Sequence, residues 1–242
     1  MRRMSWDSKI RKMYPTLKVK LNKELDKKVC LQFINFQKSG IDFGKGIITI
    51  HPVLGEAKRL FGNRQSDFIS KYIDSFYKKN NQELENTIIF ANEQWRVRVR
   101  GFFGVTDKYL KKYPWPEGKY IGYLSIFNCN PRFLKDKTFQ VFWKHPKGFV
   151  AVAVHEMLHF LFYDYISVKF GNEKFTDESL WKLSEVANYL LLKEKEFIEI
   201  TSDSQPDLYP DLLYLAYKLA PFWKKHKDVK ALTEYYFKYL GD

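Results

Sequence analysis

The chain has 242 residues, 45% of them hydrophobic and 18% aromatic, enough apolar side chain to build a core and to exclude a disordered polypeptide. Lys and Arg number 41 against 28 Asp and Glu, a net charge of +13; because the excess is spread along the chain it reads first as a lysine-coated surface, with nucleic acid as the sharper alternative. Two cysteines, Cys30 and Cys129, exclude a disulfide framework or a Cys-x-x-Cys zinc ribbon and fit buried thiols in a reducing compartment.

Residues 1–30 form a basic N-terminal segment, a solvated arm or partly helical. No apolar run follows the basic start, so a soluble, cytoplasmic protein with no membrane segment is expected. Residues 29–36 are apolar and ambiguous in type. Residues 40–55, rich in Gly and β-branched side chains, suggest a strand or loop. Phe68, Ile69, Tyr72, Ile73 and Phe76 stand at helical spacing within 64–80. Residues 86–145 are expected to form a sheet. Trp95-Arg96-Val97-Arg98-Val99-Arg100 alternates, with arginine on one face. Residues 113–133 run from a Pro-Gly turn into an aromatic strand, and 137–145 read as a third strand. Short connections predict an antiparallel meander.

From Pro146 the pattern turns helical. A first helix should run over about 146–170 and stop at Gly171-Asn172. A second should start at Thr176 as N-cap, with Asp177 and Glu178 in its first turn, and reach about Phe197. Residues 205–240 should add one or two more helices. The expectation is one α+β domain over 1–242, a small mostly antiparallel sheet packed on the 146–170 helix and followed by helices.

Residues 154–160 read Val-His-Glu-Met-Leu-His-Phe. Between Phe149 and Phe162 only His155, Glu156 and His159 are polar. On a strand the two histidines would lie roughly 13 Å apart; on a helix their Cβ atoms are about 5–6 Å apart. A zinc ion, with bonds to nitrogen of about 2.0–2.1 Å, can join them only in the helical case. Burying imidazoles and a carboxylate without partners is costly, and a bound Zn2+ would satisfy both histidines. Glu156, one position on, could take a proton from water. The bland alternative is a pair of core histidines with no metal. His51, His145 and His226 lack such spacing and read as structural or surface residues.

At these residues the chain resembles the zincin superfamily of metallopeptidases. The resemblance implies that His155 and His159 bind zinc, that Glu156 is the general base and that the substrate is a peptide or protein. The third ligand differs between subfamilies. The metzincin pattern meets Phe162 and Tyr165 where it needs Gly and His or Asp, with Asp164 off by one. A distant third histidine, as in proteases of DNA–protein crosslinks, could only be His226. A gluzincin-like completion takes a Glu from the next helix. Glu185, among Trp181, Val186, Tyr189 and Leu192, is favoured over Glu178, which suits a first helical turn. Asn188 stands at +3 from Glu185, where the gluzincin pattern has its acidic or amide residue at +4. The oxyanion donor stays open among Tyr209, Tyr214, His226 and Arg96–Arg100. A second reading, motivated by the charge and the arginine face, is a zincin-like protein with structural zinc that acts as a nucleic-acid or protein binding module.

Overall fold

The computed structural model describes residues 14–171, 173 and 175–240. The first 13 residues of the basic segment, and Asn172 of the expected helix stop, lie outside them. The chain forms two compact units, each discontinuous in sequence. One holds Leu17–Arg96 with Tyr120–Phe149; the other holds Val97–Lys119 and the chain from Val150 onward.

The first unit carries the sheet. Its strands are β1 (Leu17–Leu21), β4 (Tyr120–Ser125), β5 (Arg132–Phe133) and β6 (Thr138–Phe142), in the order β1-β4-β6-β5. A separate hairpin joins β2 (Gln37–Lys38) to β3 (Ile41–Asp42) through Ser39 and Gly40, both at positive φ as a two-residue turn demands. The expected antiparallel meander is corrected in its pairing. β1 and β6 both run parallel to β4, and only β5 runs antiparallel, against β6. The sheet is mixed because residues 126–137 form a crossover, long enough to bring the chain back in the same direction. In β1 the alternation is a clean half-buried pattern, Leu17 and Val19 inward, Lys18 and Lys20 outward. Gly122 in β4 leaves room for two aromatic rings; a Cβ there would meet Phe139 at 3.0 Å and Phe149 at 3.1 Å.

Among the described residues the first half of the chain also holds the α-helices α1 (Lys23–Phe33), α2 (Phe43–Ile50), α3 (Gly62–Lys79) and α4 (Asn81–Tyr109), with a 3-10 helix over Pro52–Arg59. Two expectations fail here. Residues 43–50 are helical, because Asp42 caps the first turn by accepting from the Lys45 amide at 2.8 Å. Residues 86–105 lie inside α4 and are not a strand. Its buried residues include Leu84, Ala91, Trp95, Phe102 and Thr106 at helical spacing, with Phe103 and Tyr109 beside them, whereas Val97 is 69% exposed. A helix also breaks up the supposed arginine face, since Arg98 projects opposite to Arg96 and Arg100.

The core of this unit is organised around Asp26, which is fully buried. Its carboxylate accepts from Ser125 Oγ at 2.6 Å, Gln140 Nε2 at 2.7 Å, Tyr77 OH at 2.7 Å and the Ile126 amide at 3.2 Å. One side chain thereby ties α1 to α3, β4 and β6. His51 is likewise a satisfied core residue: Nε2–H donates to the Ile126 carbonyl and Nδ1 accepts from Tyr72, both at 2.8 Å.

The second unit is built on α5 (Gly148–Phe170), buried on nearly every side. It is long and apolar enough to cross a membrane by length and composition alone, but 83% of its most apolar window is buried within the protein. Then follow α6 (Asp177–Leu192), α7 (Lys195–Thr201), α8 (Leu213–His226) and α9 (Val229–Tyr239). Thr176 caps α6 through the Ser179 amide. The second helix expected to reach Phe197 ends instead at Leu192, and α7 begins after Glu194. The order is that of an α+β chain: a small mixed sheet, then the motif-bearing helix, then a helical block.

Burial pushes the Asp26 carboxyl up to about 6, against the pull of its four donors. Because that value lies above the unfolded one, the associated stability is complete below about pH 4 and is lost as pH rises through about 6. A gap of about two units corresponds to about 3 kcal/mol. In urea unfolding, the stability of the wild type relative to Asp26→Asn is expected to fall by about that amount between pH 4 and pH 7; a difference that stays flat contradicts it.

Candidate metal centre

His155 and His159 sit one helical turn apart on α5, which turns both imidazoles to the same side. Their Nε2 atoms are 2.9 Å apart and the rings meet edge to face. From α6, Glu185 brings Oε2 to 3.6 Å from the first Nε2 and 3.5 Å from the second. A point equidistant from the three atoms lies about 1.9 Å from each, and zinc binds nitrogen and carboxylate oxygen at about 2.0–2.2 Å. Ligands at tetrahedral angles on such an ion are about 3.3 Å apart, the mean of the three separations here. With both imidazoles neutral and their protons on Nδ1, the three facing atoms present lone pairs, and a cation is what such a set accommodates. The donor set and its spacing therefore fit zinc.

Burial is graded across the centre. The His159 side chain is 0% exposed, Glu185 4% and His155 22%, so the centre opens toward solvent beside His155. Glu156 is buried to 5% exposure on the same turn. Met157, Leu158, Phe160 and Leu161, all buried, make the helix around the polar triplet apolar.

The two carboxylates weighed for the third position are separated by the fold. Glu178 lies in the first turn of α6 with its side chain 73% exposed, paired with Lys182 at 2.7 Å. Glu185, two turns further on, faces the histidines. The residues of the other completions are engaged elsewhere. Asp164 accepts from Tyr113 at 2.8 Å. Phe162 and Tyr165 are buried. His226 is exposed at the end of α8, with Nδ1–H donating to the Phe222 carbonyl at 3.0 Å. Tyr209 packs against Trp181 and Tyr214 is 70% exposed. Trp115 and Trp143 pack in aromatic clusters, with Phe102 and Phe103 and with Phe76 respectively.

Of two further neighbours, one had no sequence signal and the other only its spacing from Glu185. The Tyr163 ring lies 6.3 Å from the His159 ring, and its hydroxyl is 3.2 Å from Ser184 Oγ. With 16 tyrosines in the chain, nothing in the spacing singled this one out. Asn188 was noticed only for its spacing; the structure gives it a contact, Nδ2 donating to the His155 carbonyl at 3.0 Å.

No family model matches the sequence, and no curated protein or solved structure matches it either. The likeness rests on the site: His155-Glu156-x-x-His159 with the distal Glu185 matches the metal-binding geometry of gluzincin-type zincins.

Elemental analysis of protein purified with zinc present is expected to find about one zinc per chain, lost in His155→Ala and His159→Ala, weakened but still measurable by chelator competition in Glu185→Ala, and kept in Glu178→Gln. Zinc at about a hundred times its dissociation constant adds about 2.7 kcal/mol, which in a protein of this size raises the melting temperature by about 5–10 °C over the chelated sample. A melting curve indifferent to chelator would count against the site.

Proposed function

We propose that the protein is a zinc-dependent metallohydrolase, a peptidase of gluzincin type, with His155, His159 and Glu185 as metal ligands and Glu156 as general base. The single observation that carries this reading is the convergence of three ligand atoms from two helices at zinc-binding distances. Bound zinc supplies Lewis-acid polarisation of an acyl oxygen and acidifies water to near neutral pH. The chain's own residues supply the rest. Three protein donors would leave a bound zinc one position for water or substrate, and the partly exposed His155 lies on the solvent side of the site. Glu156 lies about 100° round the helix from His155; its carboxylate takes a proton from the attacking water and delivers it to the leaving amine. The apolar side chains around it keep water scarce, which strengthens each of these electrostatic interactions.

A structural zinc would call for a fourth protein ligand, and the cluster among the described residues holds three. The arginine face that motivated a nucleic-acid surface is gone with the strand that would have carried it. These two points favour the hydrolase over a binding module. A peptide or protein substrate follows the residue pattern, and the two free, buried cysteines accord with the reducing cytoplasm as its setting.

Glu156→Gln is expected to keep stoichiometric zinc while hydrolysis of denatured casein or a mixed fluorogenic peptide library drops by about 10²–10⁴-fold. Undiminished turnover would remove Glu156 from the chemistry. A zinc-loaded wild type inert to the whole library would sink the peptidase assignment.

A further inference from the structure

Asn188 follows Glu185 by three residues on α6 and is fully buried. Its Nδ2 donates to the His155 carbonyl oxygen at 3.0 Å. That carbonyl belongs to the turn joining the two histidines: in an α-helix it is also the acceptor for the His159 amide. One oxygen thus takes a donor from each of the two helices that bring the ligands together.

The orientation of the amide is unambiguous, because a carbonyl can only accept and so must face Nδ2. Asn188 Oδ1 then points away into buried surroundings, where it has no hydrogen-bond donor among the described residues. A buried amide oxygen left unmatched is costly. A leucine, of the same branched shape though larger, would carry no such cost. The apolar packing of α6 therefore does not account for an asparagine. What this side chain supplies, and leucine cannot, is one directional bond between α6 and the peptide of a ligand on α5.

Direction matters at this place because the ligand on α6 is a single carboxylate. Apolar contact between helices tolerates small slides and rotations, whereas one residue of slip moves a side chain by about 1.5 Å along the axis and about 100° around it. Residues three apart lie on the same helix face, so the Asn188 bond holds the face from which Glu185 projects. We propose that Asn188 is a positioning residue of the metal site: it locks α6 against α5 in the register that places Glu185 Oε2 at both histidine Nε2 atoms. The proposal rests on the zinc reading above.

A double-mutant cycle on the full-length protein tests it. Zinc affinity is measured by chelator competition and the coordination sphere by the visible absorption of the Co2+-substituted protein, in Asn188→Leu, Glu185→Ala and the double variant. Asn188→Leu is expected to weaken zinc binding by about 10–100-fold and to alter the Co2+ bands, with the melting temperature of the metal-free protein unchanged within a few degrees. In the Glu185→Ala background the same change is expected to cost nothing further, since there is no carboxylate left to place. An equal loss in both backgrounds, or no loss in either, overturns the proposal. Should Asn188→Leu not fold, Asn188→Ser, too short to reach the carbonyl, replaces it in the same cycle. A wild type that takes up no zinc fails earlier and differently: it removes the metal reading itself.

Discussion

A carboxylate taken out of water has to be matched by whatever surrounds it, and this protein does so twice with opposite chemistry. Asp26 is surrounded by donors from a serine, a tyrosine, a glutamine and a backbone amide. Such a shell is complete in itself and leaves the residue a structural tie among α1, α3, β4 and β6. Glu185 meets two imidazole nitrogens, which offer lone pairs as it does when both rings are neutral and carry their protons on Nδ1. Three lone-pair atoms turned toward one point are reconciled by a cation. The type of partner, more than the burial, separates the structural carboxylate from the metal-binding one.

The apolar character of α5 has its explanation in the same balance. A helix with polar and apolar faces would set its histidines on the wet side, where water competes for both metal and protons. Because α5 is buried nearly all round, His155 and His159 are held in few rotamers, and Glu156 is kept out of bulk solvent beside them. Exposure rises from fully buried His159 to partly exposed His155. Preorganisation of this kind is what the catalysis proposed above would require of the scaffold.

The local patterns that misled were short ones. Six alternating residues, Trp95 to Arg100, look like a strand when read alone, but they are a fragment of a 29-residue helix whose buried positions recur from Leu84 to Thr106. Periodicity over several turns outweighs a brief alternation because only the long pattern describes a face that packs. The Gly and β-branched residues of 43–50 suggested a strand, yet the capping bond from Asp42 and the packing of Ile47 outweigh weak propensities. The parallel pairing of β4 with β6 could not be read from connection length, since residues 126–137 suit a long hairpin or a crossover equally.

What the sequence determined by itself is whatever chain geometry makes local. Four residues between His155 and His159 on a helix bring the two imidazoles to one side, and Thr176 and Gly171 bound the helices that carry the site. Glu185 was legible as a carboxylate in an apolar helix, which set it above Glu178 before any contact was known. Only the tertiary structure decided which of the two faces the histidines, how far the carboxylate stands from each Nε2, and that Asn188 reaches the His155 peptide. Those depend on how α6 lies against α5, and the packing of two helices is set by side chains distant in sequence, about which local spacing carries no information.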